Sequence, residues 1–99
     1  MKFIHTVLWN LQEGKSYEDY KKIADLLLEL KDLIPELKEA EVGFADVKAD
    51  ESTRQICLVT YFASEEDYIV YRDHPEHVRV KGEIQKVFTD RVVADVKAE

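Results

Sequence analysis

Apolar and polar positions alternate from Lys2 to Trp9 in KFIHTVLW, placing Phe3, His5, Val7 and Trp9 on one face and Ile4, Thr6 and Leu8 on the other. β-Branched and aromatic residues dominate the stretch, which predicts a strand. NLQEGK breaks the alternation, and Ser16 with Asp19 three residues on resembles a capping box. Apolar residues then recur every three or four positions, at Tyr20, Ile23, Leu27, Leu30 and Ile34, with Leu26 and Leu33 widening the stripe until Pro35 ends it. The spacing predicts a helix whose apolar face is broad enough to cover a sheet.

A second alternating stretch, Ala40 to Val47, is followed by the polar KADEST and then by RQICLVTYF: a strand, a connection and a strand. Ser64 with Asp67 caps a short helix that is interrupted between Tyr71 and Pro75. A second helical segment from Pro75 to Phe88 carries Val78, Ile84 and Val87, and RVVADV closes the chain as a strand. This βαββαβ order predicts an α+β, ferredoxin-like fold with a four-stranded antiparallel sheet, one domain over residues 1–99 without repeats or linkers. Helices cover one face of such a sheet only. Yet strand three offers Ile56, Leu58 and Phe62 on one side and Cys57, Val59 and Tyr61 on the other, and the last strand sets Val93 against Val92, Ala94 and Val96. Strands apolar on both sides predict that the helix-free face is buried against the sheet of a second copy, in a homodimer.

Composition adds a reason for such help, since a chain of 99 residues buries only about two thirds of its unfolded surface when it folds alone. The net charge of -7, from 21 acidic and 14 basic residues, argues against nucleic acid and anionic lipid as partners. FIHTVLW is too short for a signal-peptide core or a membrane span, so a soluble, cytoplasmic protein is expected. The single cysteine, Cys57, lies in an apolar run and reads as a small packed hydrophobe rather than a reactive thiol.

Candidate chemistry concentrates in YRDHPEHVRV, residues 71–80. Proline is favoured at a first helical position, which puts His74 near the cap and His77 in the first turn. The positive end of the helix biases His77 toward its neutral, proton-accepting form, as a general base requires. His5 sits mid-strand among apolar neighbours, and the Tyr71 phenol could orient a carbonyl oxygen, so the three could form an acid–base pocket. The plainer alternative makes His74 and His77 polar contacts at a helix junction and His5 a satisfied core residue. A metal is not expected. His5, His74 and His77 with Asp73 or Glu76 have the right donor types, but the proline disturbs the register and no HExxH or CxxC spacing occurs. Three glycines form no phosphate loop, and no serine sits in a nucleophile elbow.

The histidine in FIHTVLW, the LIPELKEAEVG junction, the run TYFASEEDYIVYRDHPEHV and the closing VVADV together resemble the stress-responsive A/B barrel (Dabb) family of the dimeric α+β barrel superfamily. The resemblance spans nearly the whole chain, and its most specific part is the Y-x-x-H-P-x-H pattern from Tyr71 to His77. It implies ferredoxin-like protomers paired through their sheets. It also implies, from plant members that are cofactor-free polyketide cyclases, that His77 acts as base, that Tyr71 binds the substrate carbonyl and that His5 lies nearby. A third-strand histidine of those cyclases is Ile56 here, and aromatics lining their pocket from the first helix are replaced by Ala24 and Leu27. The expected site is therefore an apolar pocket lined by Ala24, Leu27, Ile56, Leu58, His74, Phe88 and Val93, with His5, Tyr71 and His77 as its working groups and no cofactor. A small apolar or aromatic molecule would be its ligand. A non-catalytic dimeric module, binding a small ligand or serving as a scaffold, is the alternative reading.

Overall fold

The computed structural model describes residues 2–99; Met1, the first residue of the span expected for the domain, lies outside the described residues. Seven elements follow one another: β1 (Lys2–Leu11), α1 (Tyr17–Leu33), β2 (Glu39–Phe44), β3 (Ile56–Phe62), α2 (Glu65–Asp73), α3 (Pro75–Val87) and β4 (Phe88–Ala98). The strands form one antiparallel sheet in the order β2-β3-β1-β4, the ferredoxin-like arrangement.

Local chemistry sets the element ends. The Asp19 carboxylate accepts from the backbone N–H of Ser16 at 2.9 Å, closing the start of α1, and the Ser64 hydroxyl accepts from the Asp67 N–H at 3.2 Å at the start of α2. The chain between β1 and α1 turns at Gly14, whose φ of 85° is open to glycine at no steric cost. α1 buries Tyr20, Ile23, Ala24, Leu27 and Leu30 against the sheet and α3. Leu33, expected to widen that stripe, is exposed.

Other boundaries differ from the sequence pattern because pairing decides them. β2 stops at Phe44 instead of Val47, since beyond the Ala45 N–H bond to the Gln55 carbonyl (2.7 Å) the Asp50 carboxylate gathers Ser52 and Thr53 into a turn. β3 starts at Ile56, where that turn hands over to the β2 ladder. β1 reaches Leu11, and β4 starts at Phe88 rather than Arg91, because the two strands pair along almost their whole lengths. In α3 the buried valine is Val80, while Val78 points to solvent. At the end of β1, Gln12 donates from its side chain to the carbonyls of Gln85 (2.8 Å) and Phe88 (3.1 Å), tying β1 to the end of α3.

The β1–β4 ladder contains a bulge. Leu8 faces Val92, yet Asn10 faces Thr89, so β4 carries one residue more than β1 across this point. Asp90 takes up the extra residue with a left-handed φ of 58°. Its carboxylate accepts from the Asn10 side chain at 3.1 Å and its carbonyl from Arg54 at 2.8 Å. One inserted residue flips the side-chain parity of a strand. Phe88 therefore packs into the core beside Trp9 while Val93 and Asp95, opposite Val7 and His5, also face the helices.

The opposite face of the sheet carries Ile4 and Leu8 from β1, Cys57, Val59 and Tyr61 from β3, and Val92 and Val96 from β4. Among the described residues no helix covers it, and Val92 and Val96 are nearly half exposed. Among the described residues no helix is long and apolar enough to cross a membrane.

Candidate functional site

Between the sheet and the two C-terminal helices lies a cavity of about 200 Å³. His5, Val7 and Trp9 of β1 and Leu58 of β3 form its floor, with Leu27 of α1 and Phe88 at the start of β4 at its apolar end. Tyr68 and Arg72, one turn apart on α2, and His77, Lys81, Ile84 and Gln85, on one face of α3, form its roof. Thr89 and Arg91 of β4 complete the wall.

The geometry of His77 follows from Pro75. Proline has no N–H, so the helical ladder fails between α2 and α3. The His74 N–H returns to the Tyr71 carbonyl at 3.2 Å, and the Glu76 N–H, which would have reached the Arg72 carbonyl in a continuous helix, goes to the His74 ring at 3.1 Å. The orphaned Arg72 carbonyl is satisfied by Nδ1 of His77 at 2.9 Å. A carbonyl only accepts, so Nδ1 carries the proton and neutral His77 is left with a lone pair on Nε2. Burial holds its pKa below the usual 6.5 against the pull of the Arg72 carbonyl, and His5, Lys81 and Arg91 depress it further.

His5 is almost fully buried and donates from Nδ1 to the carboxylate of Asp95, its cross-strand neighbour on β4. Here too burial prevails, over the stabilising effect of the carboxylate, and the ring is biased neutral. Its imidazole lies against the ring of Tyr68, with centroids 4.7 Å apart. Burial and the Asp95 charge push the Tyr68 phenol above its ordinary pKa, keeping it a hydrogen-bond donor at neutral pH.

The structure thus brings His5, His77, Leu27, Leu58 and Phe88 to one cavity. Tyr71 is not on its wall: 1% exposed, it packs against His77 with ring centroids 4.4 Å apart and against Phe62 at 5.1 Å. Ala24 and Ile56 are buried in the core, His74 is spent as the cap of α3, and Val93 faces the helix side of an edge strand; none of these four lines the cavity. Tyr68, Arg72, Lys81, Gln85, Thr89, Arg91 and Asp95 had no mark in the sequence beyond residue type. Only the helical repeat linking His77 to Lys81 and Tyr68 to Arg72 could have pointed to three of them, Tyr68, Arg72 and Lys81. Among the described residues no group of three or more His, Cys, Asp or Glu side chains is placed to hold a metal ion. The Cys57 thiol lies on the far face of the sheet, and burial with Glu41 raises its pKa, away from thiolate chemistry.

A ferredoxin-like α+β sandwich with a histidine-bearing cavity under its helices defines the class of protein. The sequence model of the Stress responsive A/B Barrel Domain family matches residues 3–98, and the chain belongs to that family. Among solved structures, a dimeric ferredoxin-like protein of unknown function from Thermobifida fusca is 24% identical, with 99% of this chain and 92% of that one covered and a TM-score of 0.83. A Dabb family protein from Mesorhizobium loti is 18% identical over 99% of this chain and 97% of its own, with a TM-score of 0.80. The hydroxynitrile lyase of Passiflora edulis is 18% identical over 99% and 94%, with a TM-score of 0.87. At these identities the likeness establishes the fold. No curated protein matches the chain.

Proposed function

We propose that this protein is a homodimeric barrel that performs cofactor-free acid–base chemistry on a small carbonyl compound of polyketide type, as a cyclase or isomerase does. The observation that carries the reading is the His77 hydrogen bond to the Arg72 carbonyl, which leaves a basic Nε2 on a residue lining a cavity with an apolar end. His77 Nε2 removes a proton from the carbon alpha to the carbonyl, and the electron pair moves onto the carbonyl oxygen as an enolate. The Tyr68 phenol, on the same wall, donates a hydrogen bond to that oxygen. The enolate carbon then attacks a second carbonyl, whose alkoxide oxygen takes the proton from the His77 imidazolium, or, where the enolate is conjugated with a double bond, the imidazolium returns the proton to the far carbon; either way His77 is neutral again. Tyr71, behind His77, is in this scheme a positioning residue that holds the imidazole against the cavity. His5, fixed by Asp95, orients the substrate from the floor.

The apolar outer face of the sheet supports pairing with a second copy, as does the description of the Thermobifida fusca protein as dimeric. The lone cysteine, unable to form an internal disulfide, fits a reducing, cytoplasmic setting. Support from the hydroxynitrile lyase is at the level of fold alone.

Exchange of α-protons for deuterium in phenylacetone and in a 1,3-diketone, followed by NMR in D₂O, tests the chemistry without knowledge of the natural substrate. Wild type accelerates exchange, and His77→Gln loses roughly two to four orders of magnitude of that acceleration. No acceleration, or equal acceleration by the variant, overturns the acid–base reading. The withdrawal of Tyr71 from the wall then favours the second one, a dimeric module that binds a small ligand without turning it over.

A further inference from the structure

We propose that the cavity is built for a small aromatic anion, a carbonyl compound with one ring and one carboxylate held by Arg91 and Lys81. This names the ligand class of the site above and rests on that reading for its location.

Charge is the first argument. The chain carries 21 acidic residues against 14 basic ones, yet every charged residue lining the cavity is a cation: Arg72, Lys81 and Arg91, each from a different element. Arg72 is already engaged, its guanidinium donating to Asp73 at 2.9 and 3.1 Å. Among the described residues neither Lys81 nor Arg91 forms an ion pair. Asp95, the nearest counter-charge on the same strand face as Arg91, is taken up by His5. Two cations facing a half-enclosed apolar space are stabilised by an anion that enters it, and a guanidinium matches a carboxylate with two parallel hydrogen bonds.

The backbone is the second argument, independent of charge. Arg91 follows the bulge, and without the extra residue at Asp90 the core position of Phe88 would put Arg91 on the opposite face of the sheet. A non-glycine residue in the left-handed region is held there at some cost, and such positions cluster where a side chain must be aimed. Here the aimed side chain is a cavity arginine.

Size and lining complete the class. The Trp9 and Phe88 rings, 5.1 Å apart, together with Leu27 and Leu58 give an apolar end, and about 200 Å³ exceeds the roughly 150 Å³ that admits benzene in a protein interior. One ring and a short acidic substituent fill that space. A ligand of this shape sets its ring among the apolar residues and its carboxylate at the β4–α3 mouth, with His5 and His77 alongside.

The test is titration calorimetry of the full chain with benzoate and phenylacetate against their neutral counterparts benzamide and phenylacetamide, in wild type, Arg91→Gln, Lys81→Gln and His77→Gln. The expected result is that the acids bind at least about tenfold more tightly than the amides, that added salt weakens the acids selectively, and that Arg91→Gln and Lys81→Gln each remove most of the preference. Amides that bind as well as the acids overturn the anion assignment and leave the cavity as a ligand site. Acid binding that both cation variants retain in full also overturns it, since the anion then sits elsewhere. Absence of binding by all four compounds overturns the anion assignment with the pocket. Acid binding kept by His77→Gln, alongside a wild type that fails to exchange α-protons, separates the two readings: the ligand class stands and the chemistry falls.

Discussion

His77 donates its Nδ1–H to the carbonyl of Arg72, 2.9 Å away, across the break between α2 and α3. A backbone defect made by Pro75 is thereby repaired by a side chain, and the repair dictates which ring nitrogen of His77 keeps its lone pair. The structural role of the YRDHPEH run and the chemical role proposed for it are one arrangement seen from two sides.

Long-range ¹⁵N–¹H correlation spectra of the histidine rings at pH 7.5 are expected to show neutral His77 as the Nδ1–H tautomer. In Pro75→Ala, which restores an N–H and lets the two helices approach continuity, the Arg72 carbonyl has competing donors and His77 loses its fixed tautomer. A wild-type His77 protonated at Nε2 would contradict the proposed base.

Stability should fall on mild acidification. Burial lowers the pKa of both His5 and His77 from the ordinary 6.5, so the unfolded chain takes up protons first. Their contribution is complete above about pH 6.5 and declines as pH drops below it. The carboxylates whose pKa values are depressed, Asp19, Asp50 and Asp73, act in the same sense but only near and below pH 3.8. Thermal midpoints recorded from pH 7.5 to 5.5 should therefore decrease in wild type and vary less in a His5→Gln, His77→Gln double variant. A midpoint that rises over this range contradicts the assignment.

At the bulge, Asp90→Gly keeps the left-handed backbone without steric cost, although it gives up the hydrogen bond from Asn10. A β-branched residue cannot adopt φ of 58° comfortably, so Asp90→Val is expected to lose about 1–3 kcal/mol of unfolding free energy, more than Asp90→Gly. Denaturant unfolding of the two variants decides; equal midpoints would mean that β4 slides without penalty.

Val59 sits in the middle of the helix-free face, opposite Thr6 on β1 and Glu41 on β2. Val59→Asp places a carboxylate where the proposed dimer is dry, and sedimentation at low micromolar concentration should find wild type at twice the 11.6 kDa protomer mass and the variant near one protomer. Circular dichroism checks that the variant stays folded. A monomeric wild type would remove the homodimer.

The element order, the apolar stripe of α1, the two-faced strands and the capped helix starts were legible in the chain itself. Periods of two and 3.6 are local properties that a sequence carries openly. Ser16, Ser64 and Pro75 mark their helix ends by chemistry that acts within four residues. His5 and His77 could be named because histidine is rare in this chain and each stands out against its own neighbours. What only the tertiary structure decided is which side chains meet at the cavity. The parity of β4 cannot be read from FTDRVVADV, because Asp90 becomes an extra residue only when β4 pairs with β1 and Asn10 and Arg54 hold it. That slip of one residue sends Phe88 to the core, Asp95 to His5 and Arg91 to the cavity. Tyr71 shows the same limit from the other side: it shares a motif with His77, yet packing against Phe62 and the His77 ring places it behind the wall, while Tyr68, one turn earlier, lines the cavity. Periodicity assigns a residue to a face; close packing of seven elements decides which part of that face stays open.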